Sequence, residues 1–154
     1  MKRVQLASSA PDFSLPGVDG KTHSLANHTK VPVVVIFSCC HCPYVIAWEQ
    51  RINEIAIDYT DRTSVIAINS NDHIGDSIDD MRARNTSEPY SYPFLRDENQ
   101  NVAKSYGATR TPEVFLFSQN HRLVYHGALD SNYQDPGGAV PYLRHAIDAT
   151  LEGL

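Results

Sequence analysis

The sequence predicts an α/β domain: a central mixed β-sheet flanked by helices, with an N-terminal β-hairpin extension. Three observations carry this. Two apolar runs, Val33-Val34-Val35-Ile36-Phe37 and Val65-Ile66-Ala67-Ile68, show no alternation, as expected of strands buried on both faces of a parallel sheet. Between them the apolar residues Val45, Trp48, Ile52, Ile55 and Tyr59 recur at spacings of three and four, the period of an amphipathic helix. Further on, Val114-Phe115-Leu116-Phe117 and Leu123-Val124-Tyr125-His126 flank the polar loop Ser118-Gln119-Asn120-His121-Arg122 and read as an antiparallel pair.

In chain order, Phe13-Ser14-Leu15 forms one short strand, Gly17-Val18-Asp19-Gly20 a turn, and residues 21–25 the returning strand. The first buried run follows. The helix after it begins at Pro43, whose missing N–H costs nothing at the first helical position, and runs for about four to five turns. The second buried run completes a right-handed βαβ crossover. Ser77 with Asp80 forms a capping pair for a short helix through Arg84. Asp97 with Gln100 does the same for a helix that Gly107 ends. After the hairpin, Pro141 starts a last helix with Val140, Leu143, Ile147 and Leu151 on one face. No repeat or linker interrupts the chain, so residues 1–154 are expected to form a single domain.

Composition excludes several classes of function. The net charge of −5 is spread along the chain with no basic stripe, which argues against nucleic acid as a partner. No run approaches the ~18 apolar residues of a membrane span. Met1-Lys2-Arg3 resembles the start of an export signal, but Val4-Gln5-Leu6-Ala7-Ser8-Ser9 is too short and polar to be its core. With 42% hydrophobic residues the chain can build a core without disulfide staples. Its three cysteines are clustered rather than dispersed, which fits a reducing cytoplasm better than a secreted framework.

All three cysteines lie in Cys39-Cys40-His41-Cys42, at the junction of the first buried strand and its helix. Disulfide exchange needs one thiolate to attack and a second thiol to release the mixed disulfide. A C-x-x-C folded over the first helical turn brings two sulfurs within bonding range, and the positive end of the helix stabilises a thiolate. Cys39 and Cys42 are therefore the candidate redox couple, and His41 between them a candidate tuner of the thiolate when protonated. A structural zinc site usually takes four ligands from two separated pairs, and no second pair is present. No metal or other cofactor is expected. Adjacent cysteines bridge only through a strained ring, so Cys40 is expected to be a bystander.

The order of elements, with C-x-x-C at the first strand–helix junction and Thr111-Pro112 before the hairpin, resembles the thioredoxin fold. Six segments sharpen the likeness to the peroxiredoxin-like, AhpC/TSA-related redoxin branch: Ala10-Pro11-Asp12-Phe13-Ser14-Leu15, Phe37-Ser38-Cys39-Cys40-His41-Cys42-Pro43-Tyr44-Val45, Asn69-Ser70-Asn71-Asp72, Pro93-Phe94-Leu95-Arg96-Asp97-Glu98, Tyr106-Gly107-Ala108 and Thr111-Pro112-Glu113-Val114-Phe115.

The resemblance implies a thioredoxin-like fold and a thiol–disulfide oxidoreductase. Its partners would be a protein or small-molecule disulfide and a reductase or thiol electron donor. Thr111-Pro112 would be a cis pair opposite the cysteines that holds bound substrate. His41 holds the place that His has in the C-G-H-C of protein disulfide isomerase, implying a potential above that of thioredoxin, within roughly −120 to −270 mV. By analogy with thioredoxin, Cys39 attacks and Cys42 resolves. Aligned instead with the peroxiredoxin T-x-x-C-P motif, Cys42 takes the attacking place, Cys39 replaces the threonine, and Arg110 falls near the thiolate-stabilising arginine. A thiol peroxidase is thus one alternative, and a copper-binding thioredoxin-fold module another. Val33 stands where thioredoxin has a buried acid, implying slower resolution.

Overall fold

The structure, a computed structural model, describes residues 5–28 and 30–153. The expectation about Met1, Lys2 and Arg3 lies outside the described residues. A small antiparallel pair comes first, β1 (Ser14–Pro16) and β2 (Thr22–Ser24), in the register Ser14 to Ser24. Then follow β3 (Val33–Ser38), α1 (Pro43–Asp58), β4 (Ser64–Asn69), α2 (Ile78–Ser87), β5 (Phe94–Arg96), α3 (Asn101–Tyr106), β6 (Glu113–Phe117), β7 (Leu123–Gly127) and α4 (Tyr142–Leu151). The main sheet has the order β5-β4-β3-β6-β7. β3, β4 and β5 run parallel, while β6 is antiparallel to β3 and to β7. This is the mixed α/β, thioredoxin-like arrangement.

The unbroken apolar runs are explained by the two cores they serve. Val34 and Ile36 face one side of the sheet, where Trp48, Ile52 and Ile55 of α1, Met81 of α2, and Leu143 and Ile147 of α4 cover them. Val33, Val35 and Phe37 face the other, where Phe13, Leu25, Val102 and Tyr106 close over them. Both faces of the central strand are thereby covered, which fixes where its C-terminal tip delivers Cys39.

Several local expectations are met, and others need correction. Ser77 and Asp80 form the reciprocal capping box of α2, which runs on to Ser87 rather than ending at Arg84. Asp97 and Gln100 do not form such a box. Gln100 is itself the N-cap, in a left-handed conformation, and the buried Asp97 carboxylate accepts from Val102 N and Ala103 N. Gly107 ends α3 as expected, at φ 68°. β5 was not expected between the two short helices: at three residues it is too short to show a period, and its apolar pair is buried by pairing with β4. On α1, Glu49 is buried, and Arg84 of α2 donates to its carboxylate at 3.2 Å. α4 begins at Tyr142 with Pro141 as its N-cap, so the exposed Val140 lies before the helix; on the helix Leu143 and Ile147 are buried while Leu151 is exposed. Among the described residues no helix is long and apolar enough to cross a membrane.

Candidate active site

The tip of β3 turns through Cys39-Cys40-His41-Cys42 into α1. Cys42 is the N-cap and Pro43 opens the helix, so the free N–H groups of the first turn gather beside the cysteines. Cys42 N donates to Cys39 Sγ at 3.3 Å. Across the cleft, the peptide between Thr111 and Pro112 is cis, as expected. Both sulfurs meet this loop: Cys39 Sγ lies 3.6 Å from Thr111 Oγ1, and Cys42 Sγ donates to Thr111 O at 3.5 Å.

The two thiols sit in different surroundings. Cys39 is only 2% exposed, and Cys42 is partly exposed. Burial pushes the Cys39 thiol above its ordinary pKa, against the opposing pull of the Thr111 hydroxyl and the N–H groups of Cys42 and His41. Cys40 turns away into the core with Trp48 and Met81. Burial, with the negative charge of Asp76 next, pushes its thiol up to about 12. At neutral pH Cys40 is protonated and is not a nucleophile.

Residues 6–126 match the sequence model of the AhpC/TSA family. The chain belongs to the AhpC/TSA family. Among solved structures it is similar to an uncharacterized conserved protein from Geobacillus kaustophilus, at 35% identity and a TM-score of 0.90 over 99% of this chain and 85% of that one. It is also similar to the exposed lipoprotein thioredoxin Etrx1 of Streptococcus pneumoniae strain TIGR4, at 26% identity and 0.73 over 94% and 100%. The peroxidoxin BcpB of Mycobacterium tuberculosis, 18% identical with a TM-score of 0.76 over 99% of each chain, shares the fold. No protein of curated description matches the sequence.

Within this AhpC/TSA chain the expected site residues fall as follows. Cys39, Cys42, Thr111 and Pro112 come together. The His41 ring instead lies against Gly75, where a Cβ would collide with the imidazole and where φ is +99°. Among the described residues no hydrogen bond joins that ring to either sulfur; His41 reaches Cys39 through its backbone N–H. Arg110 is exposed, donates its backbone N–H to Glu113, and lines a neighbouring cleft with Thr111. Val33 is fully buried, so no acid stands beneath the couple at that position.

Two buried carboxylates that the sequence reading did not assign to the site, Asp76 and Glu113, hold it in place together with Asn69. Asp76, 1% exposed, accepts from Cys40 N at 2.8 Å and from Asn69 Nδ2 at 3.0 Å, tying the cysteine turn to the end of β4. Asn69 Nδ2 also reaches Cys40 Sγ at 3.9 Å. Glu113, 2% exposed, accepts from Thr109 N and Arg110 N and is paired with His126 Nε2 at 2.6 Å. Burial raises its pKa, but these donors outweigh it and hold the carboxyl below its usual value. Asp76 and Glu113 thus fix the two loops that face each other across the sulfurs. A carboxylate directly after X-Pro in an otherwise apolar strand is the one sequence signal that could have pointed to Glu113. The segment Asn69-Ser70-Asn71-Asp72 supplies a structural anchor in Asn69 and a cleft residue in Asn71. Tyr90 packs against both Tyr92 and Phe94. The loop over 130–138 borders α1: Trp48 Nε1 donates to Asp130 at 2.7 Å, and Tyr133 packs edge-on against Tyr44.

Proposed function

We propose that the protein is a thiol–disulfide oxidoreductase whose redox couple is Cys39 and Cys42. The observation that carries this reading is the convergence of both sulfurs on Thr111, with the Cys42 N–H directed at Cys39 Sγ. The likeness to a thioredoxin at 26% identity supports it.

In the proposed cycle the more exposed Cys42, next to the free N–H groups of α1, attacks a substrate disulfide as a thiolate. A mixed disulfide forms and one substrate thiol leaves with a proton. Cys39 then attacks Cys42 Sγ, closes the intramolecular disulfide and releases the second thiol. Two electrons pass from the couple to the substrate, and an external thiol donor restores the reduced form. At rest the Cys42 thiol donates a hydrogen bond to Thr111 O, and the Thr111 hydroxyl is placed to support the Cys39 thiolate during resolution. This order reverses the one expected from thioredoxin, because Cys39 is the sulfur that burial shields. We place the reaction in the cytoplasm, where thiol donors are supplied; the clustered cysteines support this.

Peroxide reduction is the weaker reading. Cys39 stands in place of the peroxide-orienting threonine, and among the described residues the Arg110 guanidinium makes no hydrogen bond with a sulfur. A copper module has little beyond the two thiols to draw on: among the described residues no three His, Cys, Asp or Glu side chains gather as a metal group.

Trapping with single-cysteine variants tests the order. Cys39→Ser is expected to accumulate a stable mixed disulfide with substrate at Cys42, resolvable by mass, while Cys42→Ser accumulates little. Trapping by Cys42→Ser alone would assign the attack to Cys39.

A further inference from the structure

A cleft of about 460 Å³ opens beside Thr111, on the Phe37 side of the sheet. Its volume falls within the roughly 300–1,000 Å³ of small-molecule sites. Phe37, Ala103 and Ala108 give it an apolar floor, and Lys104, Arg110 and His73 stand around it. No carboxylate lines it. Lys104 and Arg110 make no ion pair with any described residue. Behind Asn71, Arg96 donates to the carbonyls of Asn69 and Asn71 at 3.2 and 2.8 Å, so its charge is also left without a carboxylate. Of the acids in the adjoining segments, Asp72 and Glu98 are exposed but do not line the cleft, and two others are buried. Asp97 is fully buried against Ser70 and the start of α3, and Glu113 against His126. A protein of net charge −5 thus presents a local positive pocket one residue from its redox couple.

We infer that this cleft binds the anionic arm of a small disulfide, one whose sulfur substituents carry carboxylates. The inference rests on the oxidoreductase reading and names its substrate class. Thr111 belongs both to the cleft and to the contacts of the two sulfurs, so a ligand seated on Lys104 and Arg110 has its disulfide at the couple. The exchange is the one already written: one S–S bond of the substrate breaks, the Cys39/Cys42 bond forms, and two carboxylate-bearing thiols leave. A thiol reductant returns the couple to the reduced state.

Three probes of different charge test it, with dithiothreitol as the regenerating reductant: glutathione disulfide (anionic), hydroxyethyl disulfide (neutral) and cystamine (cationic). Lys104→Glu with Arg110→Glu is expected to lower the ratio of kcat/KM for glutathione disulfide over hydroxyethyl disulfide by about tenfold, and to shift preference toward cystamine. Lys104→Gln alone is expected to lower the ratio by about threefold. In the unaltered protein, raising ionic strength from about 0.01 M to 0.15 M is expected to slow the glutathione reaction selectively. A ratio unchanged within about twofold in both variants, with no selective salt effect, overturns the inference while leaving the oxidoreductase reading intact. Failure to reduce even the neutral disulfide overturns both.

Discussion

Cys42→Ser is expected to lower steady-state reduction of an uncharged disulfide by at least about 10³-fold. A serine hydroxyl is a weak nucleophile at neutral pH unless an adjacent base activates it. The only described groups bonded to the Cys42 thiol are backbone, so no such base stands ready. Cys39→Ser is expected to lose turnover to a similar extent for a different reason, since the first exchange proceeds and resolution does not. The two losses should not add in the double variant, because the sulfurs act as one unit. Cys40→Ala is expected to keep activity within about threefold, its thiol being buried among Trp48 and Met81 and held protonated. Initial rates of the four variants check this. Equal losses in Cys40→Ala and Cys42→Ser would mean that the couple is misassigned.

The second large effect concerns the core beneath the site. Tyr106 is fully buried, with its ring edge-on to Phe37 at 5.3 Å, Phe115 at 5.4 Å and Phe117 at 5.9 Å. Its hydroxyl donates to Pro11 O at 2.8 Å, which ties α3 to the segment leading into β1. Burial pushes the phenol's pKa up, so it remains a donor throughout the neutral range. Tyr106→Ala removes an aromatic ring that the surrounding side chains cannot replace, at a cost of about 3–5 kcal/mol. Tyr106→Phe keeps the ring and loses one hydrogen bond, at a cost of about 1 kcal/mol. With a urea m-value of about 1–3 kcal/mol/M, the alanine variant's midpoint should fall by about 2 M. Because Phe37 leads directly into the cysteine turn, that variant should also lose activity below its unfolding transition. A cost under about 1.5 kcal/mol for alanine would mean that this face of the sheet repacks more freely than its geometry suggests.

How much was legible in the sequence follows from the kind of signal each feature leaves. β3, β4 and α1 were legible because a two-sided core imposes long apolar runs and a helix imposes a period. The α2 cap was legible because both partners lie within four residues. β5 left no period in three residues, and the α3 cap was misread because Asp97 reaches past Gln100 to the second and third helical N–H groups. At the site, the cysteines and the Thr111-Pro112 pair were legible as motifs. Asp76 was not: its contact with Cys40 spans 36 residues of sequence, and a lone aspartate before a capping box looks like loop chemistry. The position of the His41 ring depends on Gly75, which only the folded loop brings beneath it. The difference in exposure between Cys39 and Cys42, on which the proposed order of attack turns, is likewise a property of packing and has no counterpart in the four-residue motif.

The central claim is the Cys39/Cys42 couple, and its most direct test is thiol counting with peptide mapping after mild oxidation of the whole protein. Two of the three thiols are expected to be lost, with a single intramolecular bridge between Cys39 and Cys42 and Cys40 recovered free. Full reversal by dithiothreitol should follow. Three free thiols after oxidation, or a bridge that includes Cys40, would contradict it.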